Sequence, residues 1–193
     1  MHKPLLFYVG ALAAARLVEL LLSLRGFQRL AAGGVEYWRL AAAAGGEAQE
    51  PIVLMHGVGG IVGYLPLCLA LAAEHAAPLY VPLFPSCSLG VPTLSSPPPL
   101  PATALAAAVE EMLAQHAPPA AARATAAKAA AAEPAAEPAP LPKAPPAATF
   151  VAHSMGTASL AALLKARPQL VRAALFVDPV SFLIYRRGLI LDS

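Results

Sequence analysis

Apolar residues along this chain gather in short unbroken runs, separated by longer stretches with helical spacing. Residues 52–55 (Ile-Val-Leu-Met), 78–84 (Pro-Leu-Tyr-Val-Pro-Leu-Phe), 149–152 (Thr-Phe-Val-Ala) and 172–177 (Arg-Ala-Ala-Leu-Phe-Val) are nearly free of polar side chains. Runs of this length, rich in β-branched and aromatic residues, predict strands covered on both faces, as in a parallel sheet. A further strand is predicted at 35–40 (Val-Glu-Tyr-Trp-Arg-Leu), between turn signals at Gly33-Gly34 and Gly45-Gly46. Trp38 in it reads as a packing residue. Pro82 is awkward inside 78–84 and predicts that this strand ends early. Helices are predicted at 64–75, with Pro66 in the first turn, at 103–116, where Leu105, Val109, Met112 and Leu113 share a face, and at 157–165. Strand and helix in alternation predict an α/β fold, a mostly parallel sheet flanked by helices.

The N-terminal pattern is different. Residues 5–24 are a twenty-residue apolar stretch broken only by Arg16, Glu19 and Ser23. A helix of that length reaches about 30 Å, the thickness of a bilayer core. Each mid-span charge costs about 2.5–3.5 kcal/mol on the insertion scale, against about 0.3–0.6 returned by each Leu, Phe or Val. Arg16 and Glu19 are three apart and can pair on one helix face. The segment 1–25 is therefore expected to be a membrane-embedded or membrane-lying helix, which makes the chain membrane-associated. A secretory signal, with Lys3 as its basic start, and a soluble helix packed on the domain are the alternatives.

Composition changes this picture at one place. Of the 32 residues 117–148, 25 are Ala or Pro, and Leu141 is the one large apolar side chain. Such a stretch cannot bury enough surface to offset its ordering entropy, so it is expected to be a disordered insertion. It divides the α/β domain into 35–116 and 149–193. The net charge of +2, without a Lys/Arg block, gives no electrostatic basis for nucleic-acid binding. Cys68 and Cys87 match no metal or redox spacing. They read as buried thiols, with a disulfide left open. No cofactor or metal is called for.

Two short motifs carry chemistry. Residues 152–156, Ala-His-Ser-Met-Gly, lie between a predicted strand and a predicted helix. They approach the G-x-S-x-G nucleophile elbow, in which a strained turn lifts a serine hydroxyl above the sheet. Ala152 stands where the first glycine would be. The competing reading is an ordinary serine capping a helix. Upstream, strand 52–55 breaks into His56-Gly57-Val58-Gly59-Gly60. Glycines there let backbone N–H groups turn toward a substrate oxygen, as in H-G-G-G-type oxyanion loops. A phosphate loop is disfavoured because no G-x-x-x-x-G-K-[ST] follows. His56 reads as an anchor of this loop rather than a base. Asp178, followed by Pro179, closes the strand 172–177. It is either a site carboxylate at a strand end or the opener of a turn.

The order strand, H-G-V-G-G, helix, strand, helix, A-H-S-M-G, helix, strand, D-P resembles the α/β-hydrolase superfamily. It looks most like membrane-anchored algal and fungal members with a Tyr-Trp strand, here Tyr37-Trp38. The resemblance covers roughly residues 35–185 and implies a partial α/β-hydrolase fold in a C-terminally incomplete chain. It implies Ser154 as nucleophile, the N–H groups of Met155 and Val58 as oxyanion donors, with His56, Gly57, Gly59 and Gly60 shaping the loop, and Asp178 as the acid. Most of the superfamily places its acid one strand later. It further implies a carboxylic ester of lipid-like or acyl character as substrate. The departure is the base. The histidines are His2, His56, His75, His116 and His153, and none follows Asp178, whereas the triad order is Ser, acid, His. His153 is expected to face away from the Ser154 hydroxyl, since neighbours on a strand alternate. A serine hydrolase silent in this chain, and a non-catalytic membrane-tethered hydrolase-like binding domain, are the two functions in play. A helix-rich membrane protein with coincidental motifs is a distant third.

Overall fold

The structure, a computed structural model, describes residues 5–44, 49–88, 100–117 and 147–180. The expected insertion lies outside these residues except at positions 117, 147 and 148, as does the turn signal at Gly45-Gly46. Helix α1 (Leu5–Leu24) leads into a hairpin of β1 (Gln28–Ala32) and β2 (Val35–Leu40). Then come β3 (Ile52–Met55), α2 (Gly60–Glu74), β4 (Leu79–Pro82), α3 (Ala102–Gln115), β5 (Ala148–His153), α4 (Met155–Ala166) and β6 (Val171–Val177).

The six described strands form one sheet in the order β1-β2-β4-β3-β5-β6. Strand β2 runs antiparallel to both β1 and β4, while β4, β3, β5 and β6 are mutually parallel. Side chains on the strands alternate between two cores, as the pleat requires. Tyr37, Val53, Met55, Tyr80, Phe150 and Ala152 face α3 and α4. Trp38, Ile52, Leu54, Leu79 and Val81 face α1 and α2. Among the described residues the result is three layers, with two helices on each side of the sheet. Trp38 is a packing residue, as expected. So is Cys68, a fully buried free thiol that burial pushes up to about 12; Cys87 is also free.

Three local features have physical causes, and the first two depart from the sequence pattern. Strand β1 is not announced by hydrophobicity, because Leu30 is the one large apolar residue in Gln-Arg-Leu-Ala-Ala. It forms because Gly33 and Gly34, both at positive φ (53° and 80°), close a two-residue hairpin back onto β2. Helix α2 begins at Gly60 and not at 64, so Pro66 lies inside it rather than in its first turn. The glycine loop runs straight into the helix and leaves no connecting residues. Strand β4 ends at Pro82, before Leu83 and Phe84, as its proline predicts; pairing with β3 reaches only Val53↔Tyr80. Strand β6 forms one edge of the described sheet, with Leu175 and Val177 exposed.

Candidate active site

The strand order places three strand ends side by side: β3, which opens into the His56 loop, β5, which ends at Ser154, and β6, which ends at Asp178. Ser154 has φ 50° and ψ −125°, a conformation rarely adopted by a residue with a side chain. Its side chain makes no capping bond to α4, so it is not an ordinary helix cap. The strain is held from both sides. The Ser154 N–H donates to the Val177 carbonyl of β6 at 3.1 Å, and its own carbonyl accepts from the Thr157 N–H at 2.9 Å and the Thr157 hydroxyl at 2.6 Å. Thr157 is fully buried. A backbone this strained stores about 1–3 kcal/mol. Ser154→Gly should therefore stabilise the fold by about 1 kcal/mol and Ser154→Ala should not; urea unfolding of the two variants checks this.

Two glycines let neighbouring segments close on the elbow. A Cβ at Gly156 would collide with the Met55 carbonyl oxygen, and would lie 2.7 Å from the Met55 carbonyl carbon and 2.8 Å from His56 O. A Cβ at Gly57 would lie 2.8 Å from Ser154 Cβ and 2.7 Å from the Tyr64 hydroxyl. The loop after β3 is thus pressed against the serine. Within it, the Gly59 N–H donates to Cys87 O at 2.8 Å and the Gly60 N–H to Gly57 O at 3.3 Å. Val58 stands between Gly57 and these two, 69% exposed. Met155 opens α4, so its N–H has no carbonyl to bond within the helix.

His56 is fully buried beneath the loop. The Phe84 N–H donates to its Nε2 at 3.2 Å, which makes Nε2 the acceptor and Nδ1 the protonated nitrogen, 3.0 Å from Gly57 O. Both nitrogens are thereby engaged, and the loop is tied to the strand end of β4. Burial holds the imidazole below its ordinary value of 6.5. The unfolded chain therefore binds a proton that the folded one resists, so stability is full above about 6.5 and falls as pH drops below it. Burial also lowers His116, with the same sign. Urea midpoints measured from about pH 7.5 to about pH 5 should decline, and His56→Asn should flatten the decline while lowering stability throughout.

No described histidine stands at the serine hydroxyl. His153 turns away from it, with Nδ1 2.6 Å from the Tyr64 hydroxyl. His116 is bound to the Tyr37 hydroxyl at 2.9 Å through Nε2. His75 caps the C-terminus of α2, at the end of the sheet where β3 and β4 begin, away from the elbow. Asp178 is exposed, at φ 48°, directly after the Val177 whose carbonyl takes the Ser154 N–H. The structure therefore gathers Ser154, Met155, the 56–60 loop and the backbone of Asp178, and among the described residues no imidazole stands between serine and carboxylate. Tyr64 and Thr157 are supports that the sequence reading misses. Thr157 follows the elbow pentapeptide directly, a local signal; Tyr64 meets His153 across 89 positions, and nothing local reports that. Among the described residues no group of three or more His, Cys, Asp or Glu could hold a metal ion.

A serine on a strained strand-to-helix turn, on a mostly parallel sheet flanked by helices, defines a partial α/β-hydrolase fold. No protein-family model and no curated protein matches the chain. Solved structures do. An epoxide hydrolase from Vigna radiata is 12% identical, with TM-score 0.46, over 78% of this chain and 37% of that one. An epoxide hydrolase from Mycobacterium thermoresistibile is 15% identical, with TM-score 0.47, over 78% and 38%. A carboxylesterase from Bacillus subtilis is 14% identical, with TM-score 0.48, over 88% and 50%. The chain thus spans between 37% and 50% of the length of these structures. The fold rests on the strand order and the elbow.

Proposed function

We propose that this chain carries the nucleophile half of a serine-hydrolase site, directed at a carboxylic ester of lipid-like or acyl character and held at a membrane. The observation that supports it most is the backbone of Ser154, kept strained by bonds to Thr157 and Val177, with its side chain making no capping bond to α4. Ser154 would attack the ester carbonyl, and the N–H groups of Met155 and Val58 would receive the oxyanion. Asp178 would orient an imidazole that these residues do not supply. Helix α1, long and apolar enough to cross a bilayer, supports the membrane setting.

Chemical rescue tests this reading. Free imidazole added to the buffer should raise hydrolysis of a short-chain p-nitrophenyl ester by the wild-type chain and not by Ser154→Ala, which corrects for direct hydrolysis by imidazole. An equal rise in both would leave the second reading, a non-catalytic membrane-tethered binding domain. That reading is favoured by the engagement of His56, His116 and His153 in bonds elsewhere.

A further inference from the structure

Helix α1 has two unlike long faces. Ala11, Ala15, Val18 and Leu22 follow one another at three- and four-residue spacing and are at least half-buried. Val18 (6% exposed) and Leu22 (0%) belong to the same core as Phe27, Trp38, Leu54 and Ile61. The opposite face carries Leu6, Val9, Leu17, Leu20 and Leu24, all exposed. Helix α2 packs against α1 and exposes its own stripe of Gly63, Pro66, Leu67 and Ala70. The two helices form one layer over the same core, so both exposed stripes lie on the side of the molecule away from that face of the sheet.

This packing conflicts with a helix that crosses a bilayer. A crossing needs all twenty residues, about 30 Å. The last two turns of α1 are domain core, and removing them would uncover Phe27 and Trp38. The thirteen residues 5–17 that remain reach about 20 Å, too short to cross. Glu19 is also fixed to the domain: its two carboxylate oxygens accept from Arg16 and from Arg29 of β1, each at 2.8 Å, and Arg29 continues to Glu36.

We propose that α1 lies in the plane of a bilayer surface, its Leu6–Leu24 face and the exposed stripe of α2 seated among the lipids, with the N-terminus on the same side as the domain. The proposal rests on the membrane-association part of the reading above and is independent of the role of Ser154. A lipid surface suits this face better than a protein. The exposed residues of this face are aliphatic, whereas protein hot spots are built on Trp, Tyr and Arg and use Leu little. The charges sit where headgroups would be. Arg16, with 71% of its side chain exposed, borders the apolar face, and Arg25, also exposed, follows the end of the helix. Their stems can cover apolar surface while the guanidinium groups reach anionic headgroups. Glu19, the one acidic residue on α1, is held by Arg16 and Arg29 and turns no free carboxylate toward the headgroups.

The experiment uses the full chain with an N-terminal epitope tag and sealed vesicles of about three parts phosphatidylcholine to one part phosphatidylserine. Wild type should float with the vesicles. Leu20→Glu should weaken the binding by about tenfold or more while keeping the wild-type circular dichroism and unfolding midpoint, because Leu20 is exposed and belongs to neither core. Protease added outside should remove the tag together with the domain. Nitroxides placed one at a time at positions 9, 17 and 24, in a Cys68→Ala, Cys87→Ser background, should report one shallow depth. A protected tag with depths that progress through the bilayer would overturn the in-plane arrangement and leave membrane association intact. Failure to float would overturn both. Wild-type self-association abolished by Leu20→Glu, without flotation, would overturn the proposal in favour of a second copy on this face.

Discussion

Gly156→Ala should destabilise this fold by about 3 kcal/mol or more, enough to leave much of the chain unfolded or insoluble. The added methyl would collide with backbone, the Met55 carbonyl at the end of β3, and with His56 O beside it. Neither can move as a side chain could. Met55 is paired in the parallel ladder to Ala152 of β5, and His56 is locked by Phe84 and Gly57. Relief would require α4 to lift off the sheet, uncovering Leu160 and Leu163, both fully buried. Gly63→Ala is the matched control. Nothing lies within 4 Å of a Cβ there, and alanine is the better helix former, so a gain of about 0.5–1 kcal/mol is expected. Opposite signs for one substitution at two helical glycines, read from urea unfolding, would show that contact with β3 is what demands glycine at 156. A small loss at Gly156 would mean that the elbow packs more loosely than these distances imply.

That contact also explains why the elbow was legible in the sequence. A strand, a serine, a glycine two positions later and a helix are all local features, and each leaves a residue-level mark. The same holds for the His56 loop, where three glycines follow a fully apolar strand. Strand β1 was not legible, because Gln28–Ala32 earns its place through pairing with β2 and not through its own hydrophobicity. Tyr64 on His153, Gly57 on Ser154, and the α1 residues Val18 and Leu22 in the domain core depend on neighbours far away in sequence. The length and apolarity of α1 suggested a membrane helix; its docked face is a tertiary fact that its own sequence does not carry.

The chain of 193 residues by itself should hydrolyse p-nitrophenyl esters only weakly. Serine is a poor nucleophile unless a neighbouring base takes its proton. In subtilisin, loss of the histidine alone costs roughly 10⁶ in kcat, leaving about 10³–10⁴ over water from the oxyanion donors and binding. The described histidines here are otherwise engaged or distant. His56 gives one nitrogen to Phe84 and the other to Gly57. His153 is joined to Tyr64, His116 to Tyr37, and His75 ends α2 beside the start of β3 and β4, at the other end of the strands from the elbow. Asp178 adjoins the serine through the β6 backbone, yet a carboxylate without an imidazole to orient has little to do in this chemistry. Monomeric wild-type protein and Ser154→Ala should therefore differ by no more than about tenfold in kcat/KM, because the residual rate comes from the oxyanion donors and binding, which Ser154→Ala leaves in place. Their pH profiles should show no limb near 6.5, since no free imidazole ionises at the serine. Fast, Ser154-dependent turnover with such a limb would mean that a histidine of this chain reaches the hydroxyl. His153, adjacent in sequence, would then be the first to replace, and Tyr64→Phe would be expected to release it.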